Sequence, residues 1–386
     1  MILWLLAGTI IGFLAGLLPF LHTNLLLQFL PAVPALEGSV FVVALAFAHL
    51  VSETLPAVFF ALPSAGQSAS VLPAQELSLR GEGAKALKLM LHGLFGGMAA
   101  ALVLLPLAWF GVPLLYGAAK PLTWALLSGI VIASLWRDKE WKAAVVFALS
   151  GIFGFLVFST PLLREPLFPL LTGLFGIPSL LNAMRGERKA PKQKDCKEVK
   201  VGIPLVAVGA IAGVFSPLLP ALNPAFLSAA AFMALGEWSG EGFLVLSSSV
   251  MASKMVADFA GVSMLGKARS GAAAAVQELL GRPDAAQMGM MLGAAAFALC
   301  VSVAALLAAY RLFVGIRMGR KAYASLLVLI VLAVFAFEGT GGLFVCGVAA
   351  AIGVMPILSG TRRSYSMGAL ILPAILWSLG ASLGVF

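Results

Sequence analysis

GTIIGFLAGLLPFLHTNLLL, residues 8 to 27, and GAIAGVFSPLLPALNPAFLS, residues 209 to 228, are two copies of one pattern. In register they set Gly8 on Gly209, Gly12 on Gly213, Leu17-Leu18-Pro19 on Leu218-Leu219-Pro220 and His22 on Asn223, an offset of 201 residues. The same ungapped offset sets Ser52 on Ser253, Met90-Leu91 on Met291-Leu292, Trp109 on Tyr310 and Lys120 on Lys321. Any one match is cheap in an apolar sequence. A constant offset over more than a hundred residues marks an internal repeat, which constrains the architecture before any residue is read for chemistry.

Hydrophobic residues make up 61% and charged residues 11% of the 386, too little polar surface to cover a soluble globule of that size. The composition predicts an all-α polytopic membrane protein. Apolar runs near the roughly 20 residues needed to cross the hydrocarbon core lie at 40–62, 88–110, 121–136, 143–159, 163–183, 242–262, 286–310, 322–337, 341–359 and 365–385. The opening MILWLLAGTIIGFLAG has no basic leader region and no small-residue cleavage site, so it reads as mature structure. A net charge of +9 would suggest nucleic acid in a soluble protein. Here the basic residues sit in loops, and membrane topology explains them instead. Cys196, Cys300 and Cys346, like His22, His49 and His92, show neither disulfide nor metal-ligand spacing. No cofactor is expected beyond a coupling ion, sodium or proton.

The most basic stretch, RGERKAPKQKDCKEVK at residues 185–200, carries seven Lys/Arg against three acids. It reads as a cytoplasmic linker between a first transmembrane repeat, 1–184, and a second, 201–386. Arg137 to Lys142, Arg311 to Lys321 and Arg362-Arg363 also ask to be cytoplasmic. If residues 2–36 and 203–236 each form two short legs broken at Pro19 and Pro220, every half changes side once and all four clusters fall inside. The repeats are then inverted, with about 12 to 14 membrane segments and an outside N-terminus. Lys267, Arg269 and Arg282 are left external or buried in protein.

Non-helical backbone at membrane depth is tolerated only where it is buried in protein or lines a wet cavity. Two kinds of segment invite it. One is the proline-broken pair: Pro19 followed by His22, Thr23 and Asn24, and Pro220 followed by Asn223. The other is ALPSAGQSASVLPAQ, 61–75, holding Pro63, Ser64, Gly66, Gln67, Ser68 and Ser70, matched by GVSMLGKARSGAA, 261–273. Inverted repeats with interrupted helices at mid-membrane are an organisation of secondary transporters, in which helix N-termini face anionic groups and freed carbonyls hold a cation. Ser52 and Ser253 join this set by position. Proline kinks and small residues also serve close helix packing alone.

Glu53, Lys254 and Asp258 lie inside apolar segments, where an ionised side chain costs about 2.5 to 3.5 kcal/mol on insertion scales. Each needs a partner or a function. The offset sets Glu53 on Lys254, so the two could pair between the halves; Lys254 and Asp258, four apart, could pair locally.

The stretch SETLPAVFFALPSAGQSASVLPAQELSLRGEGAKAL, Ser52 to Leu87, resembles the hallmark segment of the large membrane subunit of tripartite tricarboxylate transporters. In that family a Gly-Gly-Ser start, an apolar helix, an Asn-x-Pro-Gly turn, a Ser/Thr-rich stretch and a basic Gly-x-Ala-Gly-x-Ala-Leu ending follow in this order. Here Ser52 keeps the serine, Pro63 the turn proline, Ser68 and Ser70 the hydroxyl stretch, and Arg80-Gly81 with Ala86-Leu87 the ending. Leu18-Pro19 and Leu219-Pro220 resemble the family's opening Leu-Pro-Gly. The departures are Ala61 for the Asn, Ser64 for the Gly after the proline, Phe20 and Ala221 for the opening Gly, and Ala74-Gln75 for the Asp-Gly that usually follows the hydroxyl stretch. The resemblance implies a permease for organic anions of the di- or tricarboxylate class, cation-coupled, working with a small membrane subunit and an extracytoplasmic solute-binding protein.

Two other readings remain. A translocase for a polyprenyl-phosphate lipid carrier would use the same helix N-termini for its headgroup, through a lateral opening. A non-catalytic membrane scaffold needs no site. An enzyme is not expected: the chain has no His-Glu-x-x-His, no Gly-x-Ser-x-Gly and no paired Asp-rich motif.

Overall fold

The computed structural model describes residues 1–18, 23–30, 33–60, 70–161, 163, 165–185, 192–194, 196, 198–235, 239–314 and 319–382. Every regular element among them is helical. The first half holds α1 (Ile2–Leu17), α2 (Thr23–Leu27), α3 (Ala35–Ser52), α4 (Thr54–Phe59), α5 (Val71–Leu79), α6 (Gly83–Ala119), α7 (Thr123–Asp138), α8 (Trp141–Ser159), α9 (Leu167–Leu171) and α10 (Ile177–Arg185). The second holds α11 (Ile203–Val214), α12 (Pro224–Leu235), α13 (Gly240–Leu265), α14 (Gly271–Leu280), α15 (Ala285–Val314), α16 (Arg320–Ser359) and α17 (Gly368–Ser382). Among the described residues seven stretches are long and apolar enough to cross a membrane. One of them, Gly83–Asp138, contains both α6 and α7. Another, Arg320–Ser359, breaks at Gly339, whose φ of 61° and ψ of −153° suit only glycine. The chain is thus an all-α, multi-pass membrane protein.

Helices that are apolar all round belong at the centre of a bundle. α3 and α13 are the two such helices: buried positions run without a gap from Gly38 to Ser52 and, save Gly240–Glu241, Phe243, Met255 and Leu265, along all of α13. They approach where Phe47 and Phe259 stack with ring centroids 6.2 Å apart. Each carries a short helix running in its own direction, α1 along α3 and α11 along α13. Glycines make this possible, because close backbone approach needs residues without side chains. Gly8 faces the Phe41 carbonyl, Gly12 the Leu45 carbonyl, and Gly16 the His49 carbonyl and Ser52 hydroxyl. A side-chain carbon at Gly12 would overlap Leu45 backbone. On the other helix Gly209 meets the Leu246 carbonyl and Gly213 the Val250 carbonyl and Ser253 hydroxyl.

Helix starts recur along the chain. Ile2, Thr23, Val71, Gly83 and Leu167 open helices, and 200 to 202 residues later so do Ile203, Pro224, Gly271, Ala285 and Gly368. The packing register departs from that spacing in one place. Gly209 and Gly213 occupy on α13 the positions that Gly12 and Gly16 occupy on α3, one helical turn away from the alignment of Gly8 with Gly209. The cause is visible in the chain: α11 ends at Val214, four residues short of the place that offset gives for the end of α1, and a 3₁₀ turn, Ser216–Leu218, takes up the difference. Glycine every fourth residue fits either register, which is why sequence alone cannot choose.

The outer helices trade places. α6 lies along α13, with Gly93 on the Val245 carbonyl and Gly97 on Ser249, while α15 lies along α3. α17 likewise packs on α8, and the π-turn Thr172–Gly176 between α9 and α10 packs on α16. One pole of the bundle gathers basic loops. There the linker backbone bonds Gly81 (Lys194 N to Gly81 O, 2.7 Å) and Gln193 Oε1 accepts from Gly83 N at 2.8 Å. Arg362 pairs with Asp138 at 3.2 Å, and Arg363 donates to Ser179 two turns before the linker. At the opposite pole, across the length of α8, Glu165 N donates to Glu338 Oε1 at 3.2 Å. Arg282, left over by the charge pattern, caps the C-terminus of α13 by donating to the Ser263 and Met264 carbonyls at 2.6 and 3.1 Å, where a cation answers the helix dipole.

Candidate functional site

The predicted residues fall into two modules and an outlying contact. In the first, α3 ends at Ser52 and resumes as α4 after Glu53. Ser52 Oγ lies 3.1 Å from the Ala48 carbonyl and 3.3 Å from that of His49, both in its own helix. Glu53, 8% exposed, has a carboxylate oxygen 3.4 Å from His49 Nδ1. Gly16, near the end of α1, presses on Ser52 and the Glu53 backbone, so α1 touches this stretch directly. Thr23 is buried at the start of α2, and Asn24 follows it in the same helix.

In the second module Ser253 Oγ donates within α13, 2.7 Å from the Ser249 carbonyl. Lys254 Nζ reaches both oxygens of Asp258, at 2.8 and 2.7 Å, with 7% and 3% of the two residues exposed. The ion pairing is therefore local, not between Glu53 and Lys254. Spacing explains it: residues four apart on a helix are already neighbours, whereas a partner on the other central helix would have to displace the packed apolar side chains between. Gly213 presses on Ser253 and the Lys254 amide as Gly16 does on the first module. Beyond it Pro220 and Ala221, with φ 61°, form the turn, and Asn223 Oδ1 accepts from Phe226 N at 2.9 Å, capping α12.

Ser70 belongs elsewhere. Its hydroxyl shares a 2.8 Å hydrogen bond with that of Ser247 on α13, six residues and about 9 Å of helix before Ser253. It stands at the N-terminus of α5, whose far end meets the linker. α14 also starts beside a buried helix end, with Ser270 capping it and Gln277 donating to Gly266 O at 2.9 Å. Two short helices thus set N-termini against α13 at its two ends. Such ends attract anions. Pro19, His22, Pro63, Ser64, Gly66, Gln67 and Ser68 lie outside the described residues.

Sequence reasoning passed over His49, whose i, i+4 relation to Glu53 was legible, and Ser247, in the run Ser247-Ser248-Ser249. Among the described residues no group of three or more His, Cys, Asp or Glu could hold a metal.

No solved structure matches the chain. An uncharacterized protein of Methanocaldococcus jannaschii is 26% identical over 404 residues, covering 98% of this chain and 99% of the relative. The profile of the tripartite tricarboxylate transporter TctA family matches residues 2–368, that is, both modules and every candidate residue. The chain belongs to this family of transporter membrane subunits, not enzymes.

Proposed function

We propose that the chain is a secondary permease for a small organic anion of the di- or tricarboxylate class, with its site where the two halves meet. Residues 1–184 and 201–386 act in this reading as inverted repeats joined by the cytoplasmic linker 185–200. The observation that carries it is the exchange of helices: α6 of the first half lies along α13 of the second, and α15 of the second along α3 of the first. Such an exchange ties the halves across a central seam, which is what an alternating-access site needs. The gathering of the linker, Asp138 and Arg362-Arg363 at one pole supports the inverted relation, since all are then cytoplasmic.

The coupling ion of this reading is a proton. His49 is of the residue type whose ordinary protonation change lies nearest physiological pH, the Glu53 carboxylate stands beside it, and the end of α1 packs against both. Sodium is the competing choice of coupling ion. The family further supports a small membrane subunit and an extracytoplasmic solute-binding protein as partners. The test is uptake of labelled succinate and citrate into proteoliposomes under a sodium gradient, a pH gradient or neither. Accumulation driven by pH supports the reading. Movement of polyprenyl phosphate with no carboxylate uptake replaces it with lipid-carrier translocation.

A further inference from the structure

Arg269 is a cation whose described contacts are neutral groups. Its Nε donates to the Pro217 carbonyl at 3.0 Å and its guanidinium carbon stands 5.6 Å from the centre of the Tyr116 ring. Nη2 is shut off from solvent and makes no hydrogen bond. No carboxylate among the described residues forms an ion pair with it. Ser216, adjacent to the Pro217 that accepts from Nε, is 4% exposed, and its hydroxyl is also unbonded. Two residues beyond Arg269, α14 opens at Gly271; Ser270 Oγ accepts from Ala273 N at 3.3 Å, and the amides of Gly271 and Ala272 stand outside the helix ladder.

A closed structure does not leave a buried guanidinium proton and a neighbouring buried hydroxyl idle without cost. Both open groups, and the helix end, are donors. Guanidinium is planar and suited to a two-oxygen acceptor, and the helix end favours negative charge. The pattern also has a local origin. The 3₁₀ turn Ser216–Leu218, which follows the earlier end of α11, brings the Pro217 carbonyl to Arg269. The first half has Ser68 at the place of Arg269 under the 201 offset, so this cation is particular to one half.

We propose that Arg269, Ser216 and the N-terminus of α14 form a carboxylate-binding subsite at the end of α13 remote from the linker. It deepens the organic-anion reading and rests on it. Arg269 holds the carboxylate through Nη2, the Ser216 hydroxyl donates a second hydrogen bond, and the α14 amides face the remaining charge. Tyr116 holds the guanidinium plane from the other side.

The test is ligand-induced thermal stabilisation of the full chain in nanodiscs, titrated with succinate, citrate and inorganic phosphate at constant ionic strength. Wild type is expected to be stabilised by the carboxylates. In R269Q the half-saturating concentration rises at least about tenfold, as for loss of a charge-assisted hydrogen bond. R269K, which keeps charge without the fork, falls between, and S216A weakens binding a few-fold. An unchanged half-saturating concentration in R269Q overturns the proposal, as does a wild type stabilised by phosphate alone or by none of the three. Should R269Q fail to fold, S216A and R269K decide by the same criterion. Binding lost in R269Q together with intact carboxylate uptake by wild type supports both proposals. Binding that behaves as expected in a wild type that transports no carboxylate strikes the permease reading alone.

Discussion

At positions 53 and 254 the two central helices carry opposite charges, and each answers its charge within its own helix. In α13 the answer is closed: Lys254 holds both oxygens of Asp258, and the pair is buried. In α3 the Glu53 carboxylate lies 3.4 Å from His49 Nδ1, at a break between two helices. The surroundings are otherwise alike, since a glycine of a parallel short helix presses on the same turn in both. The difference is thus one of chemistry in a shared frame. In the proton-coupled reading proposed above, the His49–Glu53 module carries the proton and the Lys254–Asp258 module does not.

The comparison is easiest to break at Asp258. D258N leaves the Lys254 ammonium buried and unanswered, and should cost about 3 to 5 kcal/mol, read as a large fall in the thermal midpoint. K254M with D258L replaces the pair by apolar side chains of similar size and should lie close to wild type. A double variant as unstable as D258N would mean that the pair does more than answer itself. E53Q keeps the shape at the other module, so its thermal midpoint should move far less than that of D258N. A comparable fall in both variants would erase the distinction between the modules.

Smaller effects sharpen the shared frame. G16A and G213A each push a methyl into backbone and should cost about 1 to 3 kcal/mol of strain, alike in the two halves. S70A removes the bond between the two hydroxyls, while Ser247 keeps the Leu244 carbonyl at 3.2 Å, and should cost about 1 kcal/mol. N223A removes a helix cap in the second half only, for about 1 kcal/mol, measured as the same midpoint shift.

Much of the fold could be read from residues. The apolar runs gave the long helices; the recurrence of helix starts, Thr23 with Pro224 and Leu167 with Gly368, shows only in the structure. The register of α1 and α11 could not be read, because Gly8, Gly12 and Gly16 recur at one turn and match Gly209 and Gly213 in two ways. The ion pairs were half legible. Spacing offered Lys254 with Asp258, and the offset offered Glu53 with Lys254; His49 with Glu53, at the same spacing of four, went unread. Arg269 was weighed only as a misplaced loop charge. An unbonded donor is a property of three-dimensional surroundings, so no spacing could have announced it.

The most direct measurement is carboxylate uptake into proteoliposomes under an imposed pH gradient, wild type beside E53Q. Wild type should accumulate labelled substrate above equilibrium, while E53Q should only equilibrate it, with little dependence on pH. Accumulation by E53Q equal to that of wild type, or no accumulation by wild type under the pH gradient, would contradict the assignment of proton coupling to the His49–Glu53 module.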